Sequence, residues 1–185
     1  MTGRIVQISV SPGGVPKNAV PSAEVTPAGV EGDAHRDRER HGGLDRAVCL
    51  FSLERIRALQ TEGHPLVPGA LGENLTIEGI EWKDIVPGSR LELGGHVLLE
   101  VTLFTSPCIN IRPAFTHLDF SRVSEQRYPG WSRVYARVLV PGRIKTGDPV
   151  RFLPADRETP RSGTPRSATG SPGRDEHGGA WGARG

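Results

Sequence analysis

The sequence predicts a mainly β protein, a barrel of short strands with a few short helices. Three observations point there. Several short stretches alternate apolar and polar side chains, glycine and proline punctuate nearly all of them, and only one segment carries a clear helical period. At 185 residues the chain is long enough for one sizeable core.

The first strand is expected over residues 4–10. Val6, Ile8 and Val10 fall on one face, Gln7 and Ser9 on the other, and Pro12-Gly13-Gly14 ends the pattern. Ile5 is the one exception to the alternation. Further strands are expected at 47–51, 90–93, 96–104, 135–140 and 149–153. Pro87-Gly88, Gly94-Gly95, Pro141-Gly142 and Gly147-Asp148 separate them. One helix is expected over 53–62, with Leu53, Ile56 and Leu59 along one face. Ser52 suits its N-cap, and Gly63 with Pro65 stops it. A second helical turn is expected after Cys108, where Pro113 suits a first-turn position. No internal repeat is evident.

Residues 154–185 separate from this domain (1–153). Glycine, proline, serine, threonine and arginine dominate there, and Trp181 is the only large apolar side chain. Such a segment buries too little surface to offset its ordering entropy, so it reads as a disordered tail. A tail for anionic partners is the other reading, but Asp156, Glu158, Asp175 and Glu176 nearly cancel its arginines.

Composition narrows the setting. A net charge of +2 gives no basic stripe of the kind that tracks nucleic acid. Two cysteines cannot make a secreted disulfide scaffold. MTGRIVQISVSPGG lacks the apolar core of a secretory signal, and no apolar run approaches the ~20 residues that span a bilayer. A reducing, cytoplasmic setting is expected, and there a lone thiol invites a question.

The two thiols differ in surroundings. Cys49 lies in Ala47-Val48-Cys49-Leu50-Phe51, where every neighbour is apolar, so a buried inert thiol is expected. Cys108 follows Pro107 just past a strand end and precedes Asn110 and Arg112. If a helical turn opens at Ile109, partial positive charge favours a thiolate there, and Arg112 adds to it. Filling a barrel end with a small side chain is the plainer reading.

Two polar islands accompany it. The long strandless stretch 29–46, GVEGDAHRDRERHGGLDR, holds Asp33, His35, His41, paired glycines and Arg46. It reads as a solvated loop, as a zinc site of His35 and His41 with a cysteine, or as an anion site of glycine amides with Arg46. The spacing matches no tight metal motif. The second island, residues 68–80, offers Glu73 and Asn74 as hydrogen-bonding groups for a polar ring. Equally, Asn74 closes a turn and Glu73 faces water.

Together EGDAH with HGGLDRAV, GENLTIEG, PGSRLELGG, the strand into SPC, and YARVLVPGRIKTGDPV resemble a stand-alone MOSC domain. That domain ends the molybdenum cofactor sulfurases and occurs in the mitochondrial amidoxime reducing component. The resemblance covers residues 3–152 in order. Leu44 departs from it, standing where relatives often carry proline.

The resemblance implies a MOSC-type β-barrel that binds the molybdenum cofactor, a molybdopterin. The family's defining cysteine matches Cys108, which ligates molybdenum in the amidoxime-reducing relatives and elsewhere has been proposed to carry sulfur. The loop histidine matches His35 and the GENL asparagine matches Asn74, while Ser52 and Arg46 match positions near the cofactor. The expectation is therefore a reductase of small N-hydroxylated substrates. Cys108 and His35 are its catalytic residues, Cys108 is the metal ligand, and Asn74, Arg46, Ser52, Glu73 and Arg112 are at the cofactor. No iron–sulfur or flavin motif is present, so an electron-donor reductase partner is expected. The alternatives are a persulfide or cofactor carrier using Cys108 without turnover, and a non-enzymatic module acting through the tail.

Overall fold

A computed structural model describes residues 2–34 and 43–155. The expected tail therefore lies almost wholly outside the described residues, and β-structure dominates those that are described.

Seven strands close a barrel. In ladder order they are β1 (Thr2–Val10), β6 (Leu75–Glu78), β5 (Val48–Ser52), β9 (Val134–Val140), β8 (Val97–Phe104), β7 (Arg90–Leu93) and β11 (Pro149–Leu153). β11 returns to β1 through Thr2↔Arg151, Gly3↔Val150 and Arg4↔Pro149. Every junction is antiparallel except β5–β6, which is parallel. That pair needs a crossover, supplied by helix α1 (Leu53–Thr61). β2 (Asn18–Val20) extends the sheet beside β1, while β3 (Ser22–Thr26), β4 (Gly29–Val30) and β10 (Gly142–Lys145) form a second small sheet.

Register identifies the interior. Residues opposite one another share a face, and the row Ile8–Leu75–Leu50–Val134 lies beside the row Val48–Ala136–Val101. All of these are at most 1% exposed, as are Leu91, Leu93, Val97, Leu99 and Val150 farther round. The Ile5 exception has a cause: the β1–β6 register shifts between Ile5 and Gln7, so Ile5 and Ile8 both point inward across a bulge. Between β1 and β6 a Cβ on Gly3 would sit 2.1 Å from the Glu78 carbonyl oxygen, so only glycine lets these two strands approach there.

The outer face divides in two. On β7, β8, β9 and β11 it meets water and carries the pairs Arg90–Glu100, Arg137–Glu100 and Arg151–Glu92. On β1, β5 and β6 it is covered, and Ser9, Cys49, Phe51 and Thr76 are all buried. The cover comes from residues around Lys17 and Gly69. The Lys17 amide donates to the Gly69 carbonyl, the Gln7 side chain donates to the Pro68 carbonyl, and Trp82 meets Phe51 edge-on. Among the described residues no helix is long and apolar enough to cross a membrane.

Candidate functional site

Cys108 stands where the covered and wet parts of the outer face meet. β8 ends at Phe104, but Thr105 stays in the ladder, its amide donating to the Arg133 carbonyl (2.9 Å). Ser106 and Pro107 break the strand. Cys108, in extended conformation, then caps a 3-10 turn (Ile109–Ala114), its carbonyl accepting from the Ile111 amide. Its side chain makes no capping hydrogen bond and is half-buried against the core.

Tyr135 links this thiol to the rest of the site. In register it lies between Leu103 on β8 and Cys49 on β5. The Arg46 guanidinium, carried by the 3-10 turn Leu44–Arg46, sits 6.0 Å from the Tyr135 ring centre. Two contacts hold that turn on the barrel: Thr102 Oγ1 donates to the Asp45 carbonyl, and Arg137 pairs with the Asp45 carboxylate at 3.1 Å. Burial, with Cys49 and Cys108 close by, pushes the Tyr135 hydroxyl up to about 12 against the pull of Arg133 and Arg46. Tyr135 is therefore a neutral phenol at any ordinary pH.

Behind Tyr135 lies a buried polar layer. The Asn74 amide and carbonyl pair with Cys49 and Ser9, and its side chain closes the gap between strands. Oδ1 accepts from the Cys49 amide (3.0 Å), and Nδ2 donates to the Ser9 carbonyl (3.2 Å) and to Asp33 Oδ2 (2.9 Å). Asp33 also accepts from the Ser11 amide and from Lys17 Nζ, a pair at 2.5 Å with side chains 1% and 8% exposed. Glu73 takes donors from the Gly69 and Leu71 amides and the Thr76 hydroxyl. Burial pushes its carboxyl up, and those donors with Arg133 hold it back.

Arg133, 5% exposed, donates through Nη1 to the Leu71 carbonyl, while its Nε has no partner among the described residues. The buried Thr105 Oγ1 also lacks one. Unmade hydrogen bonds on buried donors are costly, and two on residues paired across the ends of β8 and β9 mark a place for a polar ligand.

The expected residues thus fall into groups. Cys108 and Arg46 meet around Tyr135. Asn74 and Glu73 stand in the layer behind, where they are hydrogen-bonded into the protein itself; neither closes a simple turn nor faces water. Ser52 has the parity of the interior row and is the N-cap of α1, accepting from the Arg55 amide and donating to Glu54. It borders a separate cleft of about 280 Å³ with Glu54, Arg55 and Trp82. Arg112 is exposed on the Cys108 turn. His35 and His41 lie outside the described residues, and among those described no cluster of His, Cys, Asp and Glu could hold a metal ion.

Cys49 is buried as expected, but its setting is not apolar. Burial raises its thiol, Arg133 and Lys17 pull it down, and Glu73 and Asp33 push it up. Sequence reading missed Arg133, Tyr135 and the Lys17–Asp33 pair. The i, i+2, i+4 pattern of Arg133, Tyr135 and Arg137 was the available signal, though it reads as an ordinary wet strand face. Lys17 gave none.

The MOSC domain family model matches residues 37–151. The uncharacterized protein YflK of Bacillus subtilis (strain 168) is 30% identical over 124 residues, 66% of this chain and 55% of that protein. A protein named "Reductase" from Gibberella moniliformis (strain M3125 / FGSC 7600) is 32% identical over 130 residues, 68% of this chain but 22% of that one. The chain thus spans about half of the first and about a fifth of the second. The crystal structure of YiiM from Geobacillus stearothermophilus superposes with a TM-score of 0.62 at 25% identity, covering 82% of this chain and 75% of that one.

Proposed function

Because this chain belongs to the MOSC domain family, we propose that it binds the molybdenum cofactor through Cys108 and reduces small N-hydroxylated substrates. The observation that carries this reading is the half-buried Cys108 thiol beside Tyr135, with Arg133 Nε and Thr105 Oγ1, which have no hydrogen-bond partner among the described residues, at the adjoining ends of β9 and β8.

The residues present fit the group. A thiolate is a soft donor suited to molybdenum, and the guanidinium and hydroxyl are donors suited to a phosphorylated pterin. When bound, the cofactor supplies two-electron reduction of an N–O bond, converting N–OH with two protons to N–H and water.

The chain's own residues do the rest. Cys108 provides the sulfur ligand. Arg46 places positive charge over the Tyr135 ring, and Tyr135 keeps its proton, serving as a hydrogen-bonding group and not as a base. Arg133 would offer the cofactor its Nε, which has no partner among the described residues. Asn74 and Glu73 act from behind, holding Cys49, Asp33 and the Gly69–Leu71 backbone in place. His35 keeps the role the family resemblance gives it. Electrons come from a separate reductase partner, and a relative named a reductase supports the redox assignment.

The test is reduction of an N-hydroxylated amidine by the full chain with a chemically reduced viologen as donor. Turnover by the wild type and none by Cys108→Ser, with equal melting temperatures, is expected. No turnover by molybdenum-loaded wild type would remove the reductase assignment, and sulfane sulfur on Cys108 without molybdenum would favour the carrier.

A further inference from the structure

We infer that Arg122 is a positioning residue for Cys108: its stack on Trp131 and its fork on Glu62 lock the 105–133 connection, and the thiol with it, onto helix α1. The inference rests on Cys108 as the functional thiol.

The connection runs from β8 to β9 and has site residues at both ends, Thr105 and Cys108 at one and Arg133 at the other. Between them its helical elements are short 3-10 turns, Ile109–Ala114, Thr116–Leu118 and Phe120–Val123, followed by a turn in which the Ser124 carbonyl accepts from the Arg127 and Tyr128 amides. Such turns are weak on their own. His117 and Leu118 lie at φ 57° and 60°, a left-handed conformation that side chains disfavour and that persists only when surroundings impose it. Part of the hold is internal, through the Glu125 carboxylate, which accepts from the Gly130 and Ser132 amides and the Ser132 hydroxyl; the rest comes from outside the segment.

Helix α1 and its C-terminal end supply the hold from outside. Thr116 donates its amide to His64 Nδ1 and its hydroxyl to the Gly63 carbonyl, and Phe115 packs edge-on against the His64 ring. Arg122 then makes the strongest junction. Nε and Nη2 fork onto Glu62 at 2.9 and 2.8 Å, and the guanidinium carbon lies 3.5 Å from the Trp131 ring centre and 4.6 Å from that of Tyr128. Arg55 of α1 lies 4.4 Å from the Trp131 ring centre. Trp131 is thus held by two guanidiniums, one from the helix and one from the connection, two residues before Arg133.

An isolated surface ion pair would hold little. Here the fork is bidentate, the Arg122 side chain is 20% exposed, and the guanidinium also stacks on the Trp131 ring, while its buried Nη1 has no hydrogen-bond partner among the described residues. Lysine could keep the charge but neither the fork nor the stack.

The test is alkylation of the full chain, purified from a host that cannot make the cofactor, with each cysteine followed by mass spectrometry. Arg122→Lys and Glu62→Gln are expected to raise the Cys108 rate at least tenfold and leave Cys49 protected. Arg122→Lys should also lower molybdenum retention when the chain comes from a competent host. Equal acceleration at both cysteines would mean general loosening and overturn the inference, as would an unchanged Cys108 rate despite a lowered melting temperature. The alkylation readout involves no molybdenum, so its failure is distinguishable from failure of the cofactor assignment, which the wild type's own metal content decides.

Discussion

Asn74→Ala removes three buried hydrogen bonds at once, and the cost follows from what each leaves behind. The Cys49 amide and the Ser9 carbonyl lose a partner in places that are 4% and 0% exposed, where water cannot replace it. Asp33 loses one of its donors while still facing Lys17. Each orphaned buried group costs about 1–3 kcal/mol, so the sum is about 3–5 kcal/mol, allowing for partial relaxation. For a domain of this size that lowers the melting temperature by roughly 6–20 °C. Asn74→Asp is expected to be as damaging although its shape is unchanged, since a second carboxylate then faces Asp33. Thermal unfolding followed by circular dichroism measures both. A drop of less than about 3 °C for Asn74→Ala would refute the view that this side chain clamps β1, β5 and Asp33 together.

Two further outcomes are expected. Because burial pushes the Cys49 thiol up, a disulfide reagent at mildly alkaline pH should titrate one thiol per native cofactor-free chain and the second only after denaturation; two fast thiols in the native chain would contradict this. Glu54 gives a pH test. Burial alone would raise its carboxyl, but donors from the Gly79 amide and the Ser52 hydroxyl outweigh burial and lower it. A lowered folded value means stabilisation that is present above the ordinary carboxylate range and lost as pH falls through that lowered value. The gap in stability between wild type and Glu54→Gln should therefore close as pH falls from neutral, and a gap that widens would be the wrong sign.

How much was legible in the sequence depends on how local the cause was. Ser52 as N-cap and the turn opening after Cys108 were both readable, because capping and strand-ending chemistry act over a few residues. Ile5 looked like an error in the alternation and proved to mark a bulge, a feature that shows only when the partner strand is known. β2, β3 and β4 escaped because they are short and interrupted by Pro21 and Pro27. β10 escaped because it begins at Gly142, read as a turn. The stretch 29–46, read as strandless, opens with β4 and closes with the Leu44–Arg46 turn.

The site was half legible for the same reason. Cys108 stood out from its own neighbours, whereas Cys49 looked apolar because Lys17, Asp33, Glu73 and Arg133 reach it only through the fold. Arg133 and Tyr135 alternate like a wet strand face, and only the cover over β1, β5 and β6 makes their neighbourhood a buried one.

Molybdenum and pterin content of the purified full chain tests the central claim most directly, because it needs neither substrate nor electron donor. The wild type from a cofactor-competent host should carry molybdenum and pterin in equal amounts, approaching one per chain. Cys108→Ser should lose the metal, while Cys49→Ser, if folded, keeps it. A wild type with neither molybdenum nor pterin, or a Cys108→Ser chain that retains full molybdenum, would contradict Cys108 as the ligand of a bound cofactor.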